Sequence, residues 1–193
     1  MACERIINLF HRRWAVRVLA MMHRYRTSVG GVRFVMLTTD LSVNRESLRD
    51  TLDVLIREQG WVAHHAGYGH PLRPEYVLTA SGRAIAHWCH EFVLRAQAMP
   101  DEQQELLYNK WSIPVIGAVY DVAQAEPEGA RFSAIKAHLP GITPRALTTA
   151  LKDLCQASLV SRSVTPESYP PRSVYGLQAP AIPIAEHVAS LKD

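Results

Sequence analysis

The strongest constraint on this chain is that it repeats itself. Arg13-Trp14 recurs as Lys110-Trp111, and Arg33-Phe34 with Leu37 and Leu41 recurs as Arg131-Phe132 with Ile135 and Leu139, at an offset of 97 to 98 residues. Further along, Leu48, Leu52 and Leu55 return as Leu147, Leu151 and Leu154, Trp61-Val62 as Leu159-Val160, and Tyr76 with Leu78 as Tyr175 with Leu177. Aromatic, basic and leucine positions stay in order over about 65 residues, which chance matching does not produce. A chain of 193 residues has room for two units of roughly 80 to 90 residues each. The expected division is a first domain over 1–98, a linker over 99–104 and a second domain over 105–193.

Both copies read as the same series of elements. A first helix carries Trp14, Val18, Leu19 and Met22 in one copy and Trp111, Val115, Val119 and Val122 in the other, at helical spacing. With Ser112 as N-cap, Pro114 falls in the first turn, where its missing N–H costs little. After a Gly- or Pro-containing loop (Gly30-Gly31, Pro127 to Gly129) a short second helix runs from Arg33-Phe34 to near Leu41, and from Arg131-Phe132 to near Leu139. The third helix starts at Ser42 or Asn44 in the first copy and at Thr143-Pro144 in the second, with its leucines at i, i+4 and i+7 turned inward.

Two β-rich segments follow in each copy. Trp61 to His65 and Glu75 to Thr79 flank Ala66 to Arg73, while Val160 to Val164 and Ser173 to Leu177 flank Thr165 to Arg172. Three helices and a long-tipped hairpin make a winged helix, whose third helix enters the major groove while the hairpin reaches neighbouring phosphates or the minor groove. Ser81 to Gln97 closes the first copy as a helix. Pro180 and Pro183 leave the second only a short terminal helix from about Ile184 to Leu191. The fold class expected is mainly α with small β-hairpins (α+β): tandem winged helix-turn-helix domains forming an intramolecular pseudo-dimer.

The pattern resembles the HxlR-type branch of the MarR-like winged-helix transcription factors, over about residues 3 to 177 as two consecutive matches. In the first copy Glu4 to Trp14 is similar to the family's opening helix and Lys-Trp, and Pro74 to Gly82 to its closing strand and turn, Tyr-x-Leu-Thr-x-x-Gly. In the second, Arg131 to Leu147, continuing through Leu151 to Leu154, resembles the helix-turn-recognition-helix segment, and Pro170 to Leu177 the exit of the wing. The resemblance implies sequence-specific binding of double-stranded DNA. Family members are usually single winged helices that dimerise, so a chain holding two copies is expected to act as a monomeric pseudo-dimer or a homodimer. Copy one lacks the family's Gly-Ile-Ser/Thr-Pro-Arg turn and has Leu41-Ser-Val-Asn-Arg45 instead. The N-terminal Cys that some members use as a redox or electrophile sensor would fall ahead of Cys3, and that role is not carried over.

DNA binding needs cations for phosphates and donors at the start of the recognition helix for base edges. The candidates in copy two are Thr143, Arg145, Thr148, Thr149 and Lys152, with Arg145 suited to bidentate contact with guanine. Those in copy one are Asn44, Arg45, Ser47 and Arg49, but Glu46, Asp50 and Asp53 share that helix and repel phosphate. The two reading faces are therefore expected to be unequal. Arg73, Arg162 and Arg172 on the wings are candidates for phosphate or minor-groove contact. His64, His65 and His70 have no acidic or Cys partner at ligand spacing, so they read as neighbours of a phosphate backbone and not as metal ligands. Trp14 and Trp111 each begin an apolar helical face and are expected in the core.

Other functions find little in the residues. There is no phosphate-binding Gly loop, no GxSxG nucleophile and no HExxH signature, so no catalytic residue, metal or cofactor is assigned. Cys3, Cys89 and Cys155 form no CxxC pair, and reduced thiols are expected. A hydrophobic content of 48% with 20% charged residues suits a folded soluble protein, and no apolar run reaches the length of about 18 residues that a membrane span needs. No secretory signal is apparent, so a cytoplasmic, nucleoid-associated location and no membrane partner are expected. A net charge of +3 permits nucleic-acid contact without requiring it. RNA polymerase or another regulator is a further candidate partner. The rival class is a tandem winged-helix protein-interaction module of a chromosome-organising or transcription complex that reads no bases. A third reading is a ligand- or redox-sensing repressor.

Overall fold

The computed structural model describes residues 4–25, 31–67, 73–126, 129–165 and 172–191. Cys3, Gly30, His70, the Pro127 loop start and most of both hairpin tips lie outside them. The chain divides into two compact units, one built from Arg12–Leu94 and the other from Met1–His11 together with Arg95–Asp193. The second unit is thus discontinuous.

In the unit of residues 12–94 the elements are α2 (Ala15–Arg24), β1 (Val32–Arg33), α3 (Phe34–Leu41), α4 (Arg45–Asp53), β2 (Val62–His65), β3 (Glu75–Leu78) and most of α5 (Ala80–Gln97). The other unit holds α1 (Glu4–His11), α6 (Asp101–Leu107), α7 (Ser112–Ala125), β4 (Ala130–Arg131), α8 (Phe132–Ala137), α9 (Pro144–Gln156), β5 (Val160–Thr165), β6 (Arg172–Leu177), a 3-10 turn (Ala179–Ala181) and α10 (Ile182–Ala189). Each has a three-stranded antiparallel sheet, in the order β1-β3-β2 and β4-β6-β5. The hairpins stand where the β-rich segments put them. The two-residue strands β1 and β4 were not foreseen, because a pair such as Val32-Arg33 shows no period of its own; Val32 pairs with Tyr76 and Ala130 with Tyr175.

The cores follow from the apolar stripes. Val16, Val18, Leu19 and Met22 of α2 are buried, with Leu37, Leu48, Leu52 and Leu55. His23 is buried as well, its ring 5.1 Å from that of His87 and 5.2 Å from that of His90 on α5. In the other unit α7 is buried on nearly every side, from Ile113 through Val119 to Val122, and α1, α8, α9, α10 and β6 pack against it. A helix apolar all round is one that neighbours enclose. At Gly117 a methyl group would come within 2.9 Å of Val188, so α10 closes directly on the α7 backbone.

Four expectations need correction. Residues 99–104 are not simply a linker: α6 starts at Asp101, with Asp101 and Glu102 in its first turn facing the positive end of the helix dipole and Gln104 Nε2 donating to Met99 O at 2.8 Å. Seven residues were too few to display a helical period. Helix α1, counted with residues 1–98 in the sequence, instead buries Ile6, Leu9 and Phe10 in the unit of residues 95–193, against α7. Ser112 is not an N-cap; it is the buried first residue of α7, and the cap position is Trp111, whose side chain makes no capping bond. Finally, Trp14 and Trp111 are half-exposed at the starts of α2 and α7, each with a cation over its ring: Arg17 at 5.2 Å and Lys110 at 5.3 Å. A half-exposed indole at a helix's cap position leaves one face open to a cation.

A single-residue difference between the copies has a structural consequence. Leu55 precedes Trp61 by six positions and Leu154 precedes Leu159 by five, so copy one has one residue more here. It is absorbed by a π-helical turn over Val54–Glu58, closed by Gln59 N donating to Val54 O at 3.1 Å. The turn before the third helix differs too. Ser42 adopts a left-handed φ of 49° where copy two has Gly141 at 80°. Left-handed backbone costs a non-glycine residue about 1–2 kcal/mol, so Ser42→Gly is expected to raise stability by roughly 0.5–1 kcal/mol after the entropy cost of glycine. Gly82→Ala is expected to lower it by at least about 2 kcal/mol, since its Cβ would lie 1.8 Å from Trp61 O. Urea titrations of the two variants check both signs.

Candidate nucleic-acid interface

The helix α9 is started by its own sequence. Thr143 Oγ1 accepts a hydrogen bond from Ala146 N at 3.2 Å, and Pro144 occupies the first turn. In copy one Asn44 Oδ1 accepts from Ser47 N at 2.8 Å, which selects Asn44 over Ser42 as the cap. The caps align the two helices at an offset of 99 residues. Both cap side chains already hold backbone N–H groups, so Asn44 and Thr143 shape the helix start before they do anything else.

Leu147, Ala150, Leu151 and Leu154 are buried, which turns Arg145, Thr148, Thr149 and Lys152 outward, all exposed. The structure separates these four. Arg145 and Thr149, with half-buried Asp153, line a groove of about 400 Å³ whose other side is Asn109 to Ser112, with Trp111 as its aromatic wall. Thr148 Oγ1 instead donates to Pro144 O at 2.9 Å, back along the helix. In copy one Arg45 and Arg49 are exposed and Ser47 half-buried. Under the cap alignment the counterparts of Arg145 and Thr149 are Glu46 and Asp50, both exposed, so the flank that is cationic in copy two is anionic in copy one. On the wings, Arg73, Arg162 and Arg172 are exposed. Arg162 donates from Nε and Nη2 to Ser173 Oγ, at 3.1 and 2.8 Å, and so lies flat across its own hairpin.

Lys110 and Asp153 on the groove, and Arg57 in copy one, were not singled out in the sequence. What brings Lys110 and Asp153 to one groove is the packing of the start of α7 beside α9. Arg57 could have been noticed, since Arg49, Asp53 and Arg57 follow one another at four-residue spacing on one helical side.

The thiols differ in access. Cys89 is fully buried and desolvation pushes its thiol far above the ordinary cysteine value. Burial also pushes the Cys155 thiol up, and the neighbouring Arg162 guanidinium pulls it partly back. Neither is poised as a thiolate at neutral pH.

Residues 106–193 match the HxlR-like helix-turn-helix family. The match includes α7, α8, α9 and the β5–β6 wing. Among solved structures, diamide-treated YodB from B. subtilis is 25% identical, covering 48% of this chain and 88% of that one, with a TM-score of 0.38. A putative MarR-family transcriptional regulator from Porphyromonas gingivalis W83 is 26% identical over 46% of this chain and 83% of that one, with a TM-score of 0.37. No curated protein matches. Among the described residues, no helix is long and apolar enough to cross a membrane.

Iodoacetamide labelling followed by peptide mapping is expected to modify Cys155 slowly and to leave Cys89 untouched until the chain is unfolded. Arg162→Ala is expected to slow Cys155 further, because removing the guanidinium lets the thiol titrate higher. Rapid labelling of Cys89 in the folded chain would contradict the core described above.

Proposed function

We propose that this chain is a sequence-specific regulator of transcription that binds double-stranded DNA, with its two winged helices acting as a pseudo-dimer. The observation that carries the reading is α9: within the HxlR-like segment, a capped helix with its leucines buried and Arg145, Thr149 and Lys152 exposed at its start and outer face. In this reading Arg145 reads a base edge and Lys152 and Arg172 meet phosphates, with Arg162 joining them only by giving up its bonds to Ser173. In copy one Arg45, Ser47, Arg49 and Arg73 are the groups available to meet the backbone. The pairing of two units in one chain is supported by the repeat and by α1, which precedes copy one in the chain but packs in the unit of residues 95–193.

The copies are not equivalent in this reading. Copy two reads bases, and copy one, whose reading flank carries Glu46 and Asp50, grips the backbone through Arg49 and its wing. That same acidic flank is what favours the second reading, a tandem winged-helix interaction module that touches no bases.

Binding to selected duplex sequences, measured over a series of salt concentrations, separates the two. A regulator has a preferred sequence and an affinity that falls steeply with salt; an interaction module has neither. Arg145→Ala is expected to weaken the preferred site by about 1–3 kcal/mol and to relax its specificity at one position. Arg49→Ala is expected to weaken all duplexes alike. Equal losses with equal changes in specificity would overturn the asymmetric division of labour.

A further inference from the structure

The π-helical turn of copy one borders a recess of about 280 Å³ between the end of α4 and the β2–β3 face. Its floor is Leu52 and Ile56, and its wall is the cross-strand pair His64 and Tyr76, whose rings stand 5.0 Å apart. Arg49 and Arg57 reach it from the helix, two turns apart, with Asp53 between them. Asp53 Oδ1 lies 3.4 Å from Arg57 Nε, with both side chains largely in solvent, so this bridge holds Arg57 only weakly. Among the described residues no carboxylate lies at ion-pair distance from Arg49, and its charge acts on the Tyr76 hydroxyl. Burial pushes that phenol above its ordinary value, so it stays an O–H donor at neutral pH.

Two guanidinium groups, a phenol and an imidazole thus converge on a small space with one carboxylate to offset them. Planar guanidinium forks suit the oxygens of a tetrahedral anion. The arrangement belongs to copy one: at the aligned positions copy two has Thr148, Lys152 and Gln156, and its counterpart of His64, Arg162, is tied to Ser173. The added residue of the π-turn lies between Leu55 and Trp61, in the stretch that carries Ile56 and Arg57.

We propose that this recess is a binding site for a phosphate-class oxyanion, held by Arg49, Arg57 and the Tyr76 hydroxyl. Such a group comes either from a free phosphorylated molecule or from the DNA backbone. The site goes beyond the base-reading proposal, because its chemistry is the same whether or not the chain reads sequence.

The test uses the full chain and two variants of opposite expected sign. Arg57→Gln removes a donor, and Asp53→Asn removes the carboxylate. Pyrophosphate is titrated calorimetrically into wild type and variants, and duplex affinity is measured against salt for each. If the source is a free anion, wild type binds pyrophosphate, Arg57→Gln weakens it about tenfold and Asp53→Asn tightens it. If the source is the backbone, pyrophosphate does not bind, but Arg57→Gln lowers duplex affinity and reduces the salt slope by about one, while Asp53→Asn raises affinity. Variants that change neither titration, or shift both in the same direction, overturn the proposal. Should wild type bind no duplex at all, the DNA-binding reading fails while the pyrophosphate titration still decides the recess.

Discussion

Burial of α7 is the constraint on which the unit of residues 95–193 depends. Its residues from Ile113 to Val119 are withdrawn from water around the whole circumference, a condition that neither a lone amphipathic helix nor a two-helix hairpin can satisfy. Enclosing it requires α1, α8, α9, α10 and β6 together. Once Leu147, Leu151 and Leu154 are committed to α7, the outward direction of Arg145 and Lys152 has no remaining freedom. The orientation of that exposed face is thus a by-product of core packing, and the burial of each large aliphatic side chain contributes about 1.5–3 kcal/mol to holding it.

The two units share a capped third helix and a three-stranded antiparallel sheet, and differ in the surfaces these carry. Caps at Asn44 and Thr143 put the two third helices in the same frame, yet one flank carries Glu46 and Asp50 where the other carries Arg145 and Thr149. The opposite flank changes in its own way, from Thr148 and Gln156 to Arg49 and Arg57. Solvent-exposed positions can exchange charge at little cost to stability, since neither state is desolvated. Their effect falls on what approaches the surface. The unit of residues 95–193 carries an arginine, Arg145, at the start of its third helix, whereas the unit of residues 12–94 carries Arg49 and Arg57 beside its hairpin.

Much of this was legible in the residues. The leucine stripes, the caps of the two third helices, both hairpins and the α5 helix have periods or end signals that act locally. What escaped notice was short or depended on distant partners. The two-residue strands β1 and β4 exist because β3 and β6 offer them a free edge. The seven-residue α6 has no visible period. The tryptophans looked like core residues from their apolar context, but each sits at a helix start with Arg17 or Lys110 over its ring. The candidates from Asn44 to Arg49 and from Thr143 to Lys152 lie on α4 and α9 or at their caps, while the two flanks of these helices, one facing Asn109 to Ser112 and the other the hairpin, were not visible in the sequence.

By itself the sequence determined the repeat, the type and order of the main elements, and which side of each third helix enters the core, because period, capping and burial preference all act within a few residues. Tertiary structure alone decided that α1 packs with residues 95–193, that Trp111 walls a groove with Arg145, and that an added residue becomes a π-turn beside Arg57. These depend on segments far apart in the chain meeting at contact distance. No local pattern encodes such meetings; close packing of the completed core selects them.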